Sequence, residues 1–423
     1  MPIALRSLRT RNYRLFISGQ LISLVGTWMQ TVAQAWLIYR LTDSAALLGL
    51  IGFAGQIPVF VLAPLGGVIA DRANRHRVLL ATQASMMVLA LALAALTLSG
   101  IVQVWQIFTL ATLLGLANAF DIPARQAFVA ELVPRDDLVN AIGLNSSMVN
   151  GARVVGPAVA GLVVAAVGEG YCFLLNGLSY VAVLIALLRM EVDPPRRSAA
   201  SISAWASVVE GFAFSWHTTP IRALLLLLGL VSLMGMPYSV LMPIFADRIL
   251  QGGPDAYGIL MSASGVGALG AAAALTMRRS VRGLGRWVAV SSGGFGVCLI
   301  AFSMSRSLWM SAALLVPAGF FMMMEMASSN TLIQSMVPDR LRGRVMAVYS
   351  MMFMGMAPMG ALIAGALAEP LGAPVTVTIG GIICIVGGAI FAANLPQLRG
   401  PARQLIVAQQ MAAGAPADET STT

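Results

Sequence analysis

Apolar runs of about twenty residues, broken by short polar loops, recur along the whole chain. About twenty helical residues cross the ~30 Å of a bilayer's hydrocarbon core, so each run predicts a membrane-spanning helix. The first extends from Leu15 to Tyr39. Others lie at about 45–70, 78–98, 104–126, 140–167, 171–189, 221–246, 257–277, 287–304, 308–330, 345–368 and 373–395, twelve in all. The opening run is too long for a secretory signal and carries Gln20, Gln30 and Gln34, so it is read as a span. The longest polar interruption, 191–220, divides the twelve equally. The expected fold class is an all-α membrane protein of two pseudo-symmetric six-helix bundles. Residues 1–190 form the first bundle, 191–220 a linker, 221–398 the second bundle and 399–423 a disordered tail rich in Ala, Pro, Ser and Thr. Within the linker, Ser201 to Trp216 places Trp205, Val208, Val209, Phe212 and Trp216 on one side. That pattern predicts an amphipathic helix lying along the membrane surface.

Composition supports this pattern and removes other classes. The chain is 58% hydrophobic and 10% charged, where a soluble domain carries about 25% charged residues. All 26 basic residues are arginine, which excludes a lysine-bearing phosphate loop and a lysine Schiff base. Twenty-two arginines fall in loops and ends that alternate onto one side. Three (Arg40, Arg248, Arg306) fall on the other, and Arg153 lies inside a span. The excess of positive charge marks the cytosolic side. Both termini are therefore expected in the cytosol, with the protein in the inner membrane. The net charge of +9 is orientation signal and implies no nucleic-acid partner. His76, His217, Cys172, Cys298 and Cys384 have no metal-ligand spacing, and no Ser-His-Asp set forms within the spans. Neither enzyme, metal nor cofactor is expected.

An internal echo organises what polar chemistry remains. Asp121 and Glu325 each precede the proline of a Val-Pro pair, Pro134 and Pro338, by thirteen residues. Each is followed by a basic loop and a Pro-broken apolar helix. Duplicated halves are common in secondary transporters, with the site at the seam. Both acids lie about 25 Å into their spans at 1.5 Å per residue. Intramembrane acids are functional by default, which makes Glu325 first and Asp121 second candidate for proton coupling. The alternative for Asp121 is a structural pair with an arginine such as Arg125. Gln20, Ser23, Thr27, Gln30 and Gln34 are spaced 3, 4, 3, 4, one face of the first span. Lipid cannot satisfy amides, so this face is expected to wall a substrate pathway, with Arg153 setting its charge preference. Eleven of the 25 methionines lie between Met322 and Met359, where polarisable side chains suit a repackable surface.

Between spans 2 and 3 the chain reads Gly67-Val68-Ile69-Ala70-Asp71-Arg72-Ala73-Asn74-Arg75-His76-Arg77. This resembles the loop signature of the major facilitator superfamily, with Asn74 where that family has a second glycine. Asn is expected to keep the left-handed turn. Span 5 carries Gly156-Pro157-x-x-Ala160-Gly161, similar to the family's antiporter signature. Asp121-x-Pro123-x-Arg125-Gln126 and Arg342-Gly343-Arg344-Val345-Met346 resemble its drug-exporter branch, which includes macrolide-efflux and enterobactin-exporter proteins. The resemblance implies a cavity lined by spans 1, 4, 7 and 10, alternating access, and a conformational latch at Gly67, Asp71, Arg72 and Arg75. It also implies proton-coupled export of small amphipathic compounds such as drugs or siderophores. The expected partners are a small organic substrate, protons and the lipid bilayer, and the expected state is a monomer. Two alternatives stay open: an uncoupled facilitator or importer, and a protein that moves lysolipid or lipid.

Overall fold

Backbone amides in hydrocarbon must bond within their own segment, and the apolar runs satisfy this as helices. The structure, a computed structural model, describes residues 3–191, 204–278 and 281–412. The spanning helices are α1 (Arg11–Thr42), α2 (Ala45–Arg72), α3 (Arg75–Leu98), α4 (Val104–Glu131), α5 (Leu138–Val167) and α6 (Glu169–Leu188). A linker helix, α7 (Ala204–His217), comes next. The second series is α8 (Thr219–Ile249), α9 (Gly253–Thr276), α10 (Leu284–Met304), α11 (Leu308–Met336), α12 (Asp339–Leu371) and α13 (Ala373–Ala412). Among the described residues, twelve helices are long and apolar enough to cross a membrane.

Local chemistry sets the helix ends. Asp43 takes the left-handed conformation (φ 53°) and donates its N–H to the Tyr39 carbonyl, closing α1. The Ser44 side chain then accepts from the Leu47 N–H and starts α2, as N-cap residues do. Gly168 (φ 91°) and Gly372 (φ 82°) turn the chain between α5 and α6 and between α12 and α13. A side chain at that φ would be strained, and glycine avoids the penalty.

The packing repeats in the two halves. The pairs α1–α6, α3–α6, α3–α4 and α1–α5 recur as α8–α13, α10–α13, α10–α11 and α8–α12. Asp121 and Glu325, Gly156 and Gly360, Gly161 and Gly365, and Gly168 and Gly372 stand at one constant offset. The echo therefore extends from the acids to the glycines of α5 and α12.

Two regions differ from the sequence reading. The seventh span is broken: α-helical to Leu230, it continues through wide turns at Val231–Gly235 and Phe245–Ile249 with a tight turn at Met236–Ser239 between them. Pro237 and Pro243 lack the N–H that a regular helix needs. By packing, the chain forms two compact units, Met1–Ser201 with Val240–Gly265, and Ile202–Ser239 with Val266–Thr423. The division falls inside the broken span. The second difference is the last helix, which continues to Ala412, so 399–412 are helical where a disordered tail is expected. Residues 413–423, Ser201, Arg279 and the side chains of Trp205 and Val208 lie outside what the structure describes.

Within the first unit, Val240–Gly265 is bound by polar and aromatic contacts. The Tyr39 hydroxyl donates to Asp247 Oδ2 at 2.8 Å. Arg248 pairs with Asp43, and the Trp36 and Tyr257 rings stack with centroids 6.3 Å apart. Beside them, Arg40 holds Glu169 through two bonds, at 2.7 and 3.2 Å.

Candidate functional site

The two intramembrane acids occupy the same register. α4 begins at Val104 and α11 at Leu308, so Asp121 and Glu325 lie equally far from their helix starts. Each is 1% exposed. Their surroundings differ.

Asp121 is enclosed by donors. Its Oδ1 accepts from Thr82 Oγ1 at 2.9 Å and from Gln83 Nε2 at 2.8 Å, both on α3. Its Oδ2 is 3.3 Å from Arg125 Nε, one turn along α4. Arg125 also donates to Gln20 Oε1 on α1 at 3.4 Å. A buried charge is tolerated when it is paired and hydrogen-bonded, and this carboxylate is both. The network ties α1, α3 and α4 together.

Glu325 is enclosed by much less. The residue one turn on is Ser329, whose hydroxyl donates to Glu325 Oε1 at 3.3 Å. Ser328 and Ser329 are fully buried, and Met324 and Met322 on the same helix are largely so. No described cation pairs with Glu325. Ser329 stands where the pseudo-symmetric position of the first half holds Arg125. The nearby Tyr349 hydroxyl, on α12, donates to the Met326 carbonyl at 2.9 Å.

The polar stripe of α1 turns into the unit. Gln20, Ser23 and Gln30 are buried, and Thr27 and Gln34 are half-buried. Gln30 Oε1 accepts from Asn176 Nδ2 of α6 at 2.6 Å. Thr27 Oγ1 donates to the Ser23 carbonyl at 2.9 Å and lies 3.5 Å from the Tyr180 hydroxyl of α6. The inner members of the stripe thus join α1 to α6 and α4. Thr82, Gln83, Asn176 and Tyr180 complete these networks, and the sequence reading did not single them out. Their signal was available: each is a polar side chain inside an apolar run.

Arg153 of α5 lies over the Trp28 ring of α1, 5.7 Å from its centroid, and is half-buried. One turn on, Gly156 brings α5 against α1. A Cβ there would stand 2.5 Å from Trp28 Cβ and 3.0 Å from the Val25 carbonyl oxygen. Gly161 approaches α9, where its Cβ would meet the Pro254 carbonyl oxygen at 3.0 Å. A Cβ on Gly258 would meet that of Pro157 at 2.6 Å. Gly156, Pro157 and Gly161 therefore form a close-packing face, which small residues make possible.

At the end of α2, Gly67 has open space around its Cβ position and Arg72 is exposed. The Asp71 side chain lies outside the described ones. Arg75 donates through Nε to the Ala70 carbonyl at 2.7 Å and through NH1 to Glu131 at 2.6 Å, joining the ends of α2 and α4. Asn74 corrects the sequence reading. Its φ is −71°, and its side chain accepts from the Arg77 N–H, capping α3. A helix start needs an acceptor for its free N–H groups, and that role replaces the expected left-handed turn.

The family described as "transmembrane secretion effector" matches residues 3–413. The "Staphyloferrin A transporter" of Staphylococcus aureus is 26% identical over 88% of this chain and 93% of its own. The "Multidrug efflux pump Tap" of Mycolicibacterium fortuitum is 29% identical over 91% and 96%. A solved POT family transporter in complex with a thioalcohol-conjugated peptide superposes with a TM-score of 0.73 at 13% identity, covering 92% of this chain and 96% of that one. This last likeness is one of fold.

Proposed function

The chain belongs to the transmembrane secretion effector family of major facilitator transporters, and from that premise we propose that it exports small amphipathic organic molecules in exchange for protons, by alternating access. It is a multi-pass inner-membrane transporter, not an enzyme. Its similarity to a siderophore transporter and a multidrug pump supports an organic substrate.

One observation carries the proton assignment. Glu325 is buried with a single hydroxyl donor. An ionised carboxylate buried without a partner is far costlier than the neutral acid. Glu325 therefore suits closure with its proton bound, and opening to water suits release. A proton taken up outside and released inside would drive substrate the other way. Asp121 has in Arg125 the counter-ion that Glu325 lacks, and we assign Asp121 to holding its helices in place. Of the predicted substrate contacts, Thr27, Gln34 and Arg153 keep some exposure and are the ones we assign. Gln20, Ser23 and Gln30 align the wall behind them. Gly67, Asp71, Arg72 and Arg75 are assigned to the latch at the cytosolic end of α2, with both chain termini on that side and the monomer as transport unit.

The test is export from proteoliposomes under an imposed pH gradient, with a panel of dyes, antibiotics and iron chelators. Glu325→Gln is expected to abolish gradient-driven export while substrate binding persists. Unchanged coupled export by this variant would remove Glu325 from the role. Export by the wild type that ignores the gradient would favour an uncoupled facilitator.

A further inference from the structure

The linker helix α7 presents two unlike faces. On its inner face, Gly211 packs against the Arg344 backbone of α12, where a Cβ would stand 2.6 Å from the carbonyl oxygen. Ser215, one turn on, is buried. Glu210 pairs with Arg344 and lies 3.6 Å from Arg340. This fixes the rotation of the helix about its own axis. On the other face, Val209, Phe212 and Trp216 are 52%, 48% and 49% exposed. Their spacing of three and four residues makes a continuous apolar strip. The Phe212 and Trp216 rings stack nearly parallel, 11° apart, with centroids at 5.9 Å. Arg222, at the start of α8, lies over the Trp216 ring at 5.8 Å.

We propose that this face is a docking surface for anionic phospholipid on the arginine-rich side of the membrane. Three features select that occupant. First, α7 leads directly into a membrane-spanning helix that starts at Thr219, which keeps the strip at headgroup depth. Second, stacked aromatic rings with one cation above them suit the interfacial zone, where amphipathic rings concentrate. Third, the neighbouring charge is positive. Glu210 is engaged by Arg344, while Arg340 keeps a 76% exposed side chain and Arg222 stands at the strip's end. Basic groups beside an interfacial helix attract acidic headgroups. The apolar strip enters the upper acyl region, and Arg222 and Arg340 meet lipid phosphate. Because Glu210 and Gly211 grip α12, the lipid surface also holds the first turn of that helix.

The experiment uses the full chain in phosphatidylcholine vesicles, with and without phosphatidylglycerol. Phe212→Cys, in a Cys298→Ser background, carries a fluorophore. Quenching is measured with lipids bearing a nitroxide in the upper acyl chain and with aqueous iodide. We expect strong lipid quenching, weak iodide quenching, and several-fold stronger lipid quenching when phosphatidylglycerol is present. Arg222→Gln with Arg340→Gln should erase that dependence. Dominant iodide quenching would overturn the proposal, as would shielding from both quenchers, which would mean a protein partner or a second copy. Equal lipid quenching in both vesicles would overturn the anionic preference. Val209→Cys gives the same reading should the Phe212 variant fail to fold.

Discussion

One position after one turn of helix separates the two buried acids. Arg125 follows Asp121 and Ser329 follows Glu325, each four residues on. A cation at Ser329 would recreate in the second half the pair that the first half already has. Ser329→Arg is therefore expected to pair with Glu325 and abolish gradient-driven export in protein that still elutes as a folded species. Coupled export that survives the change would argue against proton exchange at Glu325. Asp121→Asn tests the opposite role. It leaves Arg125, 22% exposed, without its counter-ion. Losing a charge-assisted hydrogen bond costs on the order of 2 kcal/mol, so the thermal unfolding midpoint in detergent should fall. An unshifted midpoint would remove the structural assignment. Both acids were legible in the sequence as charges inside apolar runs. The Asp121–Arg125 pair was legible too, as the alternative reading; the Thr82 and Gln83 donors were not, because they reach Asp121 from another helix.

At the scale of elements, helix existence followed from hydrophobic run length, whereas the cap at Asn74 replaced the left-handed turn expected there. Helix faces were harder to read. The five-residue stripe of α1 was read as one face, and three of its members, Gln20, Thr27 and Gln30, make side-chain contacts inside the unit. Periodicity assigns a side; it does not say which neighbour lies there. The α5 glycines have an identifiable neighbour in α9. Gly258→Leu would push side-chain atoms into the Pro157 carbonyl, since even a Cβ would stand 2.6 Å from it. The two helices should separate, and a cysteine at Asp255 should react several-fold faster with an impermeant maleimide applied from outside. An unaltered labelling rate would mean that the close approach does not seal this end. The broken seventh span marks where packing changes from one unit to the other. Its two prolines were visible in the sequence, but the wide turns arise from packing that local preference does not encode.

For the whole molecule, the distribution of arginine gives the clearest expectation. With 22 on one side and three on the other, a cysteine at Ser305 should be labelled by impermeant reagents in intact cells. One at Ala412 should be labelled only after permeabilisation. The reverse pattern would invert the orientation. The duplicated architecture extends this echo to packing, with four helix pairs of the first half recurring in the second and turning glycines at matching places. What departs from symmetry is chemical. Arg125 is matched by Ser329, Pro157 by Ala361 and Arg153 by Ala357. A transporter whose halves were alike throughout would have two equivalent acids, and here one of them has no counter-ion among the described residues.

Run length, charge placement and the internal echo were enough to determine twelve spans and which acids and amides interrupt the apolar runs. Those properties depend on transfer from water to hydrocarbon, a cost each segment meets alone. Only the tertiary structure decided that Asp121 is enclosed and Glu325 nearly bare, that most of the α1 stripe faces its own neighbours, and that the later part of the seventh span packs with the first helix. Each of these depends on atoms distant in sequence meeting within hydrogen-bond reach, which hydrophobic spacing does not specify.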